Sequence, residues 1–246
     1  GDIPFEEVYI HGYVMSEDGT KMSKSVGNVV DPFPVMKKYG SDALRMGLVS
    51  GRAPAVNRGY DPRRIEEARN FCNKLWNIAR FIEGQSAKSP ANPSLADDWI
   101  FSRLAQASKI IGSHLETYRF SEAYDALYHL IWDDVADWYI EASKSSLNLP
   151  ALQNVLQTVL KLAHPFAPFA TETIWQTLQI DKDSLVATSP WPKPLQFDAE
   201  RAAEFEKIKE IVSETRHLKT LLNLRKGRLV FADSKLLSNN AGLIKQ

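Results

Sequence analysis

Beyond residue 62 the apolar residues recur every three or four positions, the spacing of one buried face of an α-helix. Ile65, Ala68, Cys72, Leu75, Ala79 and Ile82 mark a first long helix. Phe101, Leu104, Ile111, Leu115 and Tyr118 mark a second, and Phe120, Tyr124, Leu127, Ile131, Val135 and Trp138 a third, longer one. Leu149-Pro150 opens a fourth, with Leu152, Val155, Val159 and Leu162 facing inward. His164-Pro165 ends it, because proline lacks an amide donor and disfavours helix in the residue before it. A short helix over about residues 171–178 closes the group. Long amphipathic helices joined by short loops predict an antiparallel bundle.

The flanking segments read differently. Residues 7–14, rich in β-branched and aromatic side chains, predict a strand. Asp18-Gly19 is a turn signal. Asp31-Pro32 reads as an N-cap followed by proline at the first helical position, opening a short helix to about Lys38. Gly40-Ser41 leads into another over residues 42–49. Residues 50–62 carry Gly, Pro and Asn and predict an irregular connector, as does the stretch 85–94 with its two prolines. Ser189-Pro190-Trp191-Pro192-Lys193-Pro194 predicts a rigid, extended boundary. Beyond it a helix is expected over residues 199–224, a turn at Lys226-Gly227 and a strand over 228–232. Residues 233–246 are weakly patterned and expected to fray. The fold class predicted is mainly α: a helix bundle over 61–194, preceded by the end of an α/β unit (1–60) and followed by a small α+β element (195–246).

Composition narrows the function classes. The chain has 246 residues, 44% of them hydrophobic, enough for a substantial core. No apolar run approaches the ~18 residues of a membrane span, and the N-terminus lacks the regions of a signal peptide. One cysteine, Cys72, excludes an intramolecular disulfide and a Cys-rich zinc site. A reducing, cytoplasmic setting fits. Zero net charge argues by itself against a nucleic-acid binder, but the charges are segregated. Residues 21–80 hold twelve Lys/Arg against five acids, 120–141 hold six acids and no Lys/Arg, and 215–228 hold five bases and no acid. A neutral chain with basic segments can still present a positive surface to phosphate. His114, His129, His164 and His217 have no Cys or acidic partner at metal-ligand spacing, and Asp133, Asp137 and Glu141 read as a solvated stripe. No metal site is expected.

The stretch with the most chemistry is Lys21-Met22-Ser23-Lys24-Ser25, followed by Val26-Gly27-Asn28. Two ammonium groups and two hydroxyls on a short loop beside a glycine suit a polyphosphate. Charge developing on a departing pyrophosphate is best stabilised by cations aimed at it in the transition state. Lysine supplies a compact point charge with three donors, while Ser23, Ser25 and the amides around Gly27 add hydrogen bonds. With Asp18-Gly19 before it and Asp31-Pro32 after it, this stretch resembles the KMSKS loop of class I aminoacyl-tRNA synthetases. Tyr39-Gly40-Ser41-Asp42-Ala43-Leu44-Arg45 matches the subclass that handles aliphatic amino acids and methionine. Arg69-Asn70-Phe71-Cys72-Asn73-Lys74-Leu75-Trp76-Asn77-Ile78-Ala79-Arg80-Phe81 resembles the opening helix of the anticodon-binding domain of valyl-tRNA synthetases. Val8-Tyr9-Ile10-His11 and Asn28-Val29-Val30-Asp31-Pro32 also look valine-type. Val26 departs from that pattern and keeps isoleucyl-tRNA synthetases as an alternative.

The resemblance implies a Rossmann-type catalytic domain ending in the first segment, 1–60, with the KMSKS loop and a stem-contact segment, and an anticodon-binding bundle behind it. It implies a ligase joining valine to tRNA(Val) through an aminoacyl adenylate, with ATP and Mg2+ as substrate complex and no tightly bound cofactor. Lys21 and Lys24 would be catalytic, and Lys21, Met22, Ser23, Lys24, Ser25 and Gly27 would hold ATP or pyrophosphate. The other class I signature, HIGH, is missing from these residues. The chain is therefore expected to be a C-terminal piece, inactive alone and monomeric, meeting valine only through the missing part. A stand-alone RNA-binding module is the competing class.

The first bundle helix carries a second candidate site. Arg63, Glu67, Asn70, Lys74, Asn77 and Phe81 lie opposite the predicted buried stripe. A core phenylalanine does not belong there, whereas unpaired RNA bases are read by stacking and by hydrogen bonds to their edges. Arg63, Asn70, Lys74 and Phe81 are the expected tRNA contacts. The alternative is that Phe81 packs under the following loop and its polar neighbours are solvated.

Overall fold

The computed structural model describes residues 3–53, 55–86, 93–181, 184–224 and 234–241. Asp31 begins the helical part, its carboxylate accepting from Phe33 N (3.0 Å) to cap α1, Pro32–Tyr39. Gly40 separates it from α2, Ser41–Val49. Asp61 caps α3, Pro62–Glu83, with proline again at the first helical position. Ser94 and Asp97 form a reciprocal capping box at the start of α4, Leu95–Glu116. That box starts the second bundle helix six residues ahead of its first expected apolar position and buries Trp99 and Ile100.

The third helix is a rod of three parts. α5, Phe120–His129, runs into a π-helical segment, Leu130–Tyr139, and then α6, Ile140–Ser143. Ile140 N–H bonds Val135 O, five residues back, as the wider turn requires. Ile131, Val135 and Tyr139, four apart, are all buried. Asn148 caps α7, Leu149–Ala163, and α8 spans Pro168–Thr177. A single 3₁₀ turn at Val186–Thr188 and the extended, proline-rich stretch lead to α9, Ala199–Leu221, and a short α10, Lys235–Asn239. The predicted turn at Lys226-Gly227 and strand 228–232 lie outside the described residues.

One apolar core runs from Ala43 and Met46 in α2 through the bundle to Ala202 and Phe205 in α9. Polar links fasten the outer helices to it. α8 has no side-chain cap of its own; Asp42, buried at the start of α2, accepts from Phe169 N (3.3 Å) and Ala170 N (2.7 Å) in its first turn. Arg45 donates to Pro165 O at 3.1 Å. Asp98 accepts from Arg201 Nε (2.6 Å) and Asp198 N (3.0 Å), which docks α9 on α4.

Two expectations are corrected. The strand predicted over 7–14 is reduced to β1, Val14–Met15, paired in parallel with β2, Arg58–Gly59, in the register Val14↔Arg58 and Met15↔Gly59. A strand needs a hydrogen-bonding partner, and among the described residues the ladder reaches back only to Tyr13, whose O accepts from Arg58 N–H at 3.1 Å. In α3, Cys72 is half-buried, while Phe71 and Ile78, absent from the expected stripe, are buried. Neighbours on both sides widen the buried face beyond a strict three-four repeat.

Candidate phosphate loop and nucleic-acid face

The chain reverses twice to build the signature loop. Ser16 N–H bonds Thr20 O and Gly19 N–H bonds Ser16 O, both at 2.9 Å, so the Asp18-Gly19 turn returns the chain against Met15. The Asp18 carboxylate accepts from the Ser16 hydroxyl, from Thr20 N–H (3.1 Å) and from the Thr20 hydroxyl (2.9 Å). These hydrogen bonds hold its carboxyl below the usual carboxylate range. The second reversal is the loop itself. Ser23 O accepts from Val26 N–H (3.2 Å) and Gly27 N–H (3.1 Å), and Gly27 sits at φ +76°, a conformation that costs a residue with a Cβ.

Asn28 ties both reversals together. Its Oδ1 accepts from Ser23 N–H (2.8 Å), and its Nδ2 donates to Lys21 O (3.2 Å) and the Thr20 hydroxyl (3.1 Å). Sequence reasoning placed Asn28 inside the motif without giving it a role, because its partners meet only after the chain turns back. The hydroxyls of Ser23 and Ser25 lie 2.7 Å apart. Both lysines are exposed. Lys21 Nζ stands 5.0 Å from the centroid of the Tyr13 ring, and among the described residues neither ammonium meets a carboxylate. Two uncompensated cations and two hydroxyls on a stapled turn can bind and neutralise a phosphate chain.

The four predicted RNA contacts follow one side of α3. Eighteen residues separate the first from the last, about 27 Å of helix, so they form a line rather than a cluster. Arg63 is 85% exposed, its guanidinium paired with both oxygens of Asp61 at 3.1 Å. Asn70 is exposed and accepts from Arg69 Nη2 at 3.1 Å. Lys74 is held in place: its ammonium lies 3.0 Å from Asp137 Oδ1 and 4.7 Å from the centroid of the Trp132 ring. Phe81 is half-buried against the core.

Trp132 stacks on Tyr128 (centroids 5.5 Å, planes 8° apart), which stacks in turn on the buried Phe71 (5.7 Å, 22°). This ladder runs from the core to Lys74. Its signal was visible as aromatics at i and i+4 on a predicted helix.

Comparison with known proteins agrees with this architecture. The family described as the anticodon-binding domain of tRNA ligases matches residues 97–232, and the family of class I tRNA synthetases (I, L, M and V) matches residues 1–57. Curated relatives include the valine–tRNA ligase of Solibacter usitatus, 40% identical over 89% of this chain and 27% of the relative. The valine–tRNA ligase of Streptomyces coelicolor is 37% identical over 99% of this chain and 30% of the relative. The chain thus spans less than a third of the length of these relatives. Among solved structures, the LeuRS of Agrobacterium radiobacter K84, in ternary complex with tRNA and LeuAMS, superposes with a TM-score of 0.64. It is 25% identical, and the match covers 82% of this chain and 25% of that one. A stapled lysine loop leading into a helical bundle, with both family matches falling in that order, shows that the chain belongs to the anticodon-binding domain family of class I tRNA ligases.

Proposed function

We propose that this chain is the part of a valine–tRNA ligase that supplies the phosphate loop and reads the tRNA. Its curated relatives at 37–40% identity carry that name. In the parent reaction ATP, as its Mg2+ complex, activates valine to an adenylate that is then passed to tRNA(Val), in a cytoplasmic setting. Lys21 and Lys24 neutralise the leaving pyrophosphate, Ser23, Ser25 and the amide at Met22 bind its oxygens, and Gly27, its N–H held by Ser23 O, closes the turn around them. We assign residues 1–60 to the end of the catalytic domain, 61–194 to anticodon recognition and 195–246 to an extension. Arg63 and Asn70 are outward and reach RNA by exchanging their present partners; Phe81 offers a ring edge, and Lys74 a cation to be drawn from Asp137. The 246 residues hold no HIGH-bearing segment, so the chain alone, as a monomer, does not form the adenylate.

The observation that carries this reading is the pair of ammoniums at 21 and 24, which among the described residues have no carboxylate partner, on a loop that Asn28 holds in shape. The test uses the ligase that carries this segment. Lys21→Ala and Lys24→Ala should each lower the rate of valine-dependent pyrophosphate exchange by roughly 10²–10³, the loss typical of one electrostatic contact to a transition state. The KM for valine should be unchanged. Full exchange in both variants would overturn the reading.

A further inference from the structure

Three arginines come together behind Gly51, where the end of α2, strand β2 and the first turn of α3 meet. Gly51 has φ +64° and its N–H bonds the Ser121 hydroxyl of α5 at 2.7 Å. A Cβ at Gly51 would lie 2.5 Å from Arg64 Nη1 and 2.7 Å from Arg58 Nη1. Those two cationic nitrogens are therefore within about 5 Å of each other, well inside a Debye length. Arg52 lines the same small pocket, together with Asp61 and Tyr60.

The charges of this corner do not balance. Arg64 donates to Ser50 O (3.0 Å) and Oγ (3.2 Å) and stands 3.9 Å from Asp61. Asp61, however, is already the bidentate partner of Arg63. Glu17 lines the adjoining open cleft but makes no ion pair with these arginines. Among the described residues neither Arg52 nor Arg58 has a hydrogen-bonded or ion-paired carboxylate. Burial, then the neighbouring guanidiniums of Arg58 and Arg64, push Arg52 below its usual pKa. Partly desolvated like charges are unfavourable unless an anion sits between them. The guanidinium fork matches the oxygens of a phosphate.

We propose that Arg52, Arg58 and Arg64 form a binding site for one backbone phosphodiester of the RNA that this chain binds, an inference that rests on the tRNA reading above. The cleft outside the pocket continues past Arg63 to the beginning of the outward face of α3. The pairing of Arg58 with Val14 sets the same site beside the root of the lysine loop. An RNA lying along this side of the molecule passes over the three arginines.

The test measures binding of a tRNA(Val) transcript to the chain at several salt concentrations between about 50 and 200 mM KCl. Arg52→Gln and Arg58→Gln should each make the dependence of log Kobs on log[salt] shallower by about one. Their thermal midpoints without RNA should stay level or rise, because like-charge repulsion is relieved. An unchanged slope, with wild-type binding intact, overturns this inference alone; a lowered midpoint with an unchanged slope identifies the arginines as structural. Inorganic phosphate that raises the midpoint of the wild type but not of the double variant, again with an unchanged tRNA slope, assigns the site to free phosphate and overturns the RNA assignment. A wild-type chain that binds no tRNA at any salt overturns both readings.

Discussion

At the scale of single residues, buried carboxylates hold this chain in register. Asp97, 1% exposed, accepts from Tyr139 Oη (2.7 Å), Asn148 Nδ2 (3.0 Å) and Ser94 N–H (2.8 Å). It joins the start of α4, the π-helical segment and the cap of α7 at one point. Burial, with the Asp97 carboxylate beside it, pushes the Tyr139 phenol far up, so it stays a hydrogen-bond donor throughout the working pH range. Asp97→Ala leaves three donors without an acceptor and should cost about 3 kcal/mol in urea unfolding. Asp97→Asn keeps one oxygen and should cost less. From the sequence, Asp97 was one more acid near a helix start; its partners at 139 and 148 are set by packing. The opposite holds for Asp31, whose partner is two residues away and whose role as a cap follows from the Asp31-Pro32 pair alone; Asp61, read from the sequence as the end of a connector, caps α3 in the same way.

Among the elements, α9 shows how a polar-looking helix joins a core. Three of its side chains, Ala202, Phe205 and Ile208, are buried. Phe205 meets Trp99 at 5.0 Å between ring centroids, Lys209 Nζ stands 4.8 Å from the Trp99 ring centroid, and Glu206 accepts from the Trp99 indole N–H. Arg103 and Lys209 both reach the buried Asp134 of the π-helical segment, at 2.8 and 3.3 Å. Phe205→Ala should remove about 3 to 4 kcal/mol and shift Trp99 emission to the red as water enters beside the indole. Unchanged emission and stability would mean that α9 is held by its charges alone. Periodicity foretold the α9 helix and its neighbours but not the π-helical widening, which replaces one hydrogen-bond pattern with another without altering the apolar spacing enough to reveal it.

For the whole molecule, one core reaching from α2 to α9 predicts unfolding as a unit, with a pH dependence near neutrality to which His164 contributes. The ring is half-buried, and Nδ1 lies 2.8 Å from Thr171 Oγ1. That hydroxyl already donates to Ala167 O (2.8 Å), so Nδ1 is the donor to it. Burial lowers the His164 pKa from its ordinary 6.5, against the opposing pull of Glu172 and Asp42. The unfolded chain therefore takes up the proton at higher pH than the folded one. Stability is full above the ordinary value and falls as pH drops through it towards the folded pKa. The urea midpoint should decline between about pH 7.5 and pH 5.5, and His164→Gln, although less stable throughout, should show a flatter profile. An equal decline in the variant would assign the effect elsewhere.

The sequence by itself determined what depends on near neighbours. The three-to-four spacing, the Asp31-Pro32 start, the proline stop after His164 and the run from Lys21 to Asn28 are local, because helix caps and tight turns close over a few residues. Only the tertiary structure decided which acids and bases from distant segments pair, that Lys74 belongs to Asp137, and that Asp42 caps a helix more than a hundred residues away. It also decided that most of the apparent strand at 7–14 goes unpaired and that three arginines share one pocket. Those are contacts between distant segments, and the chain must fold before their charges and hydrogen-bonding groups meet.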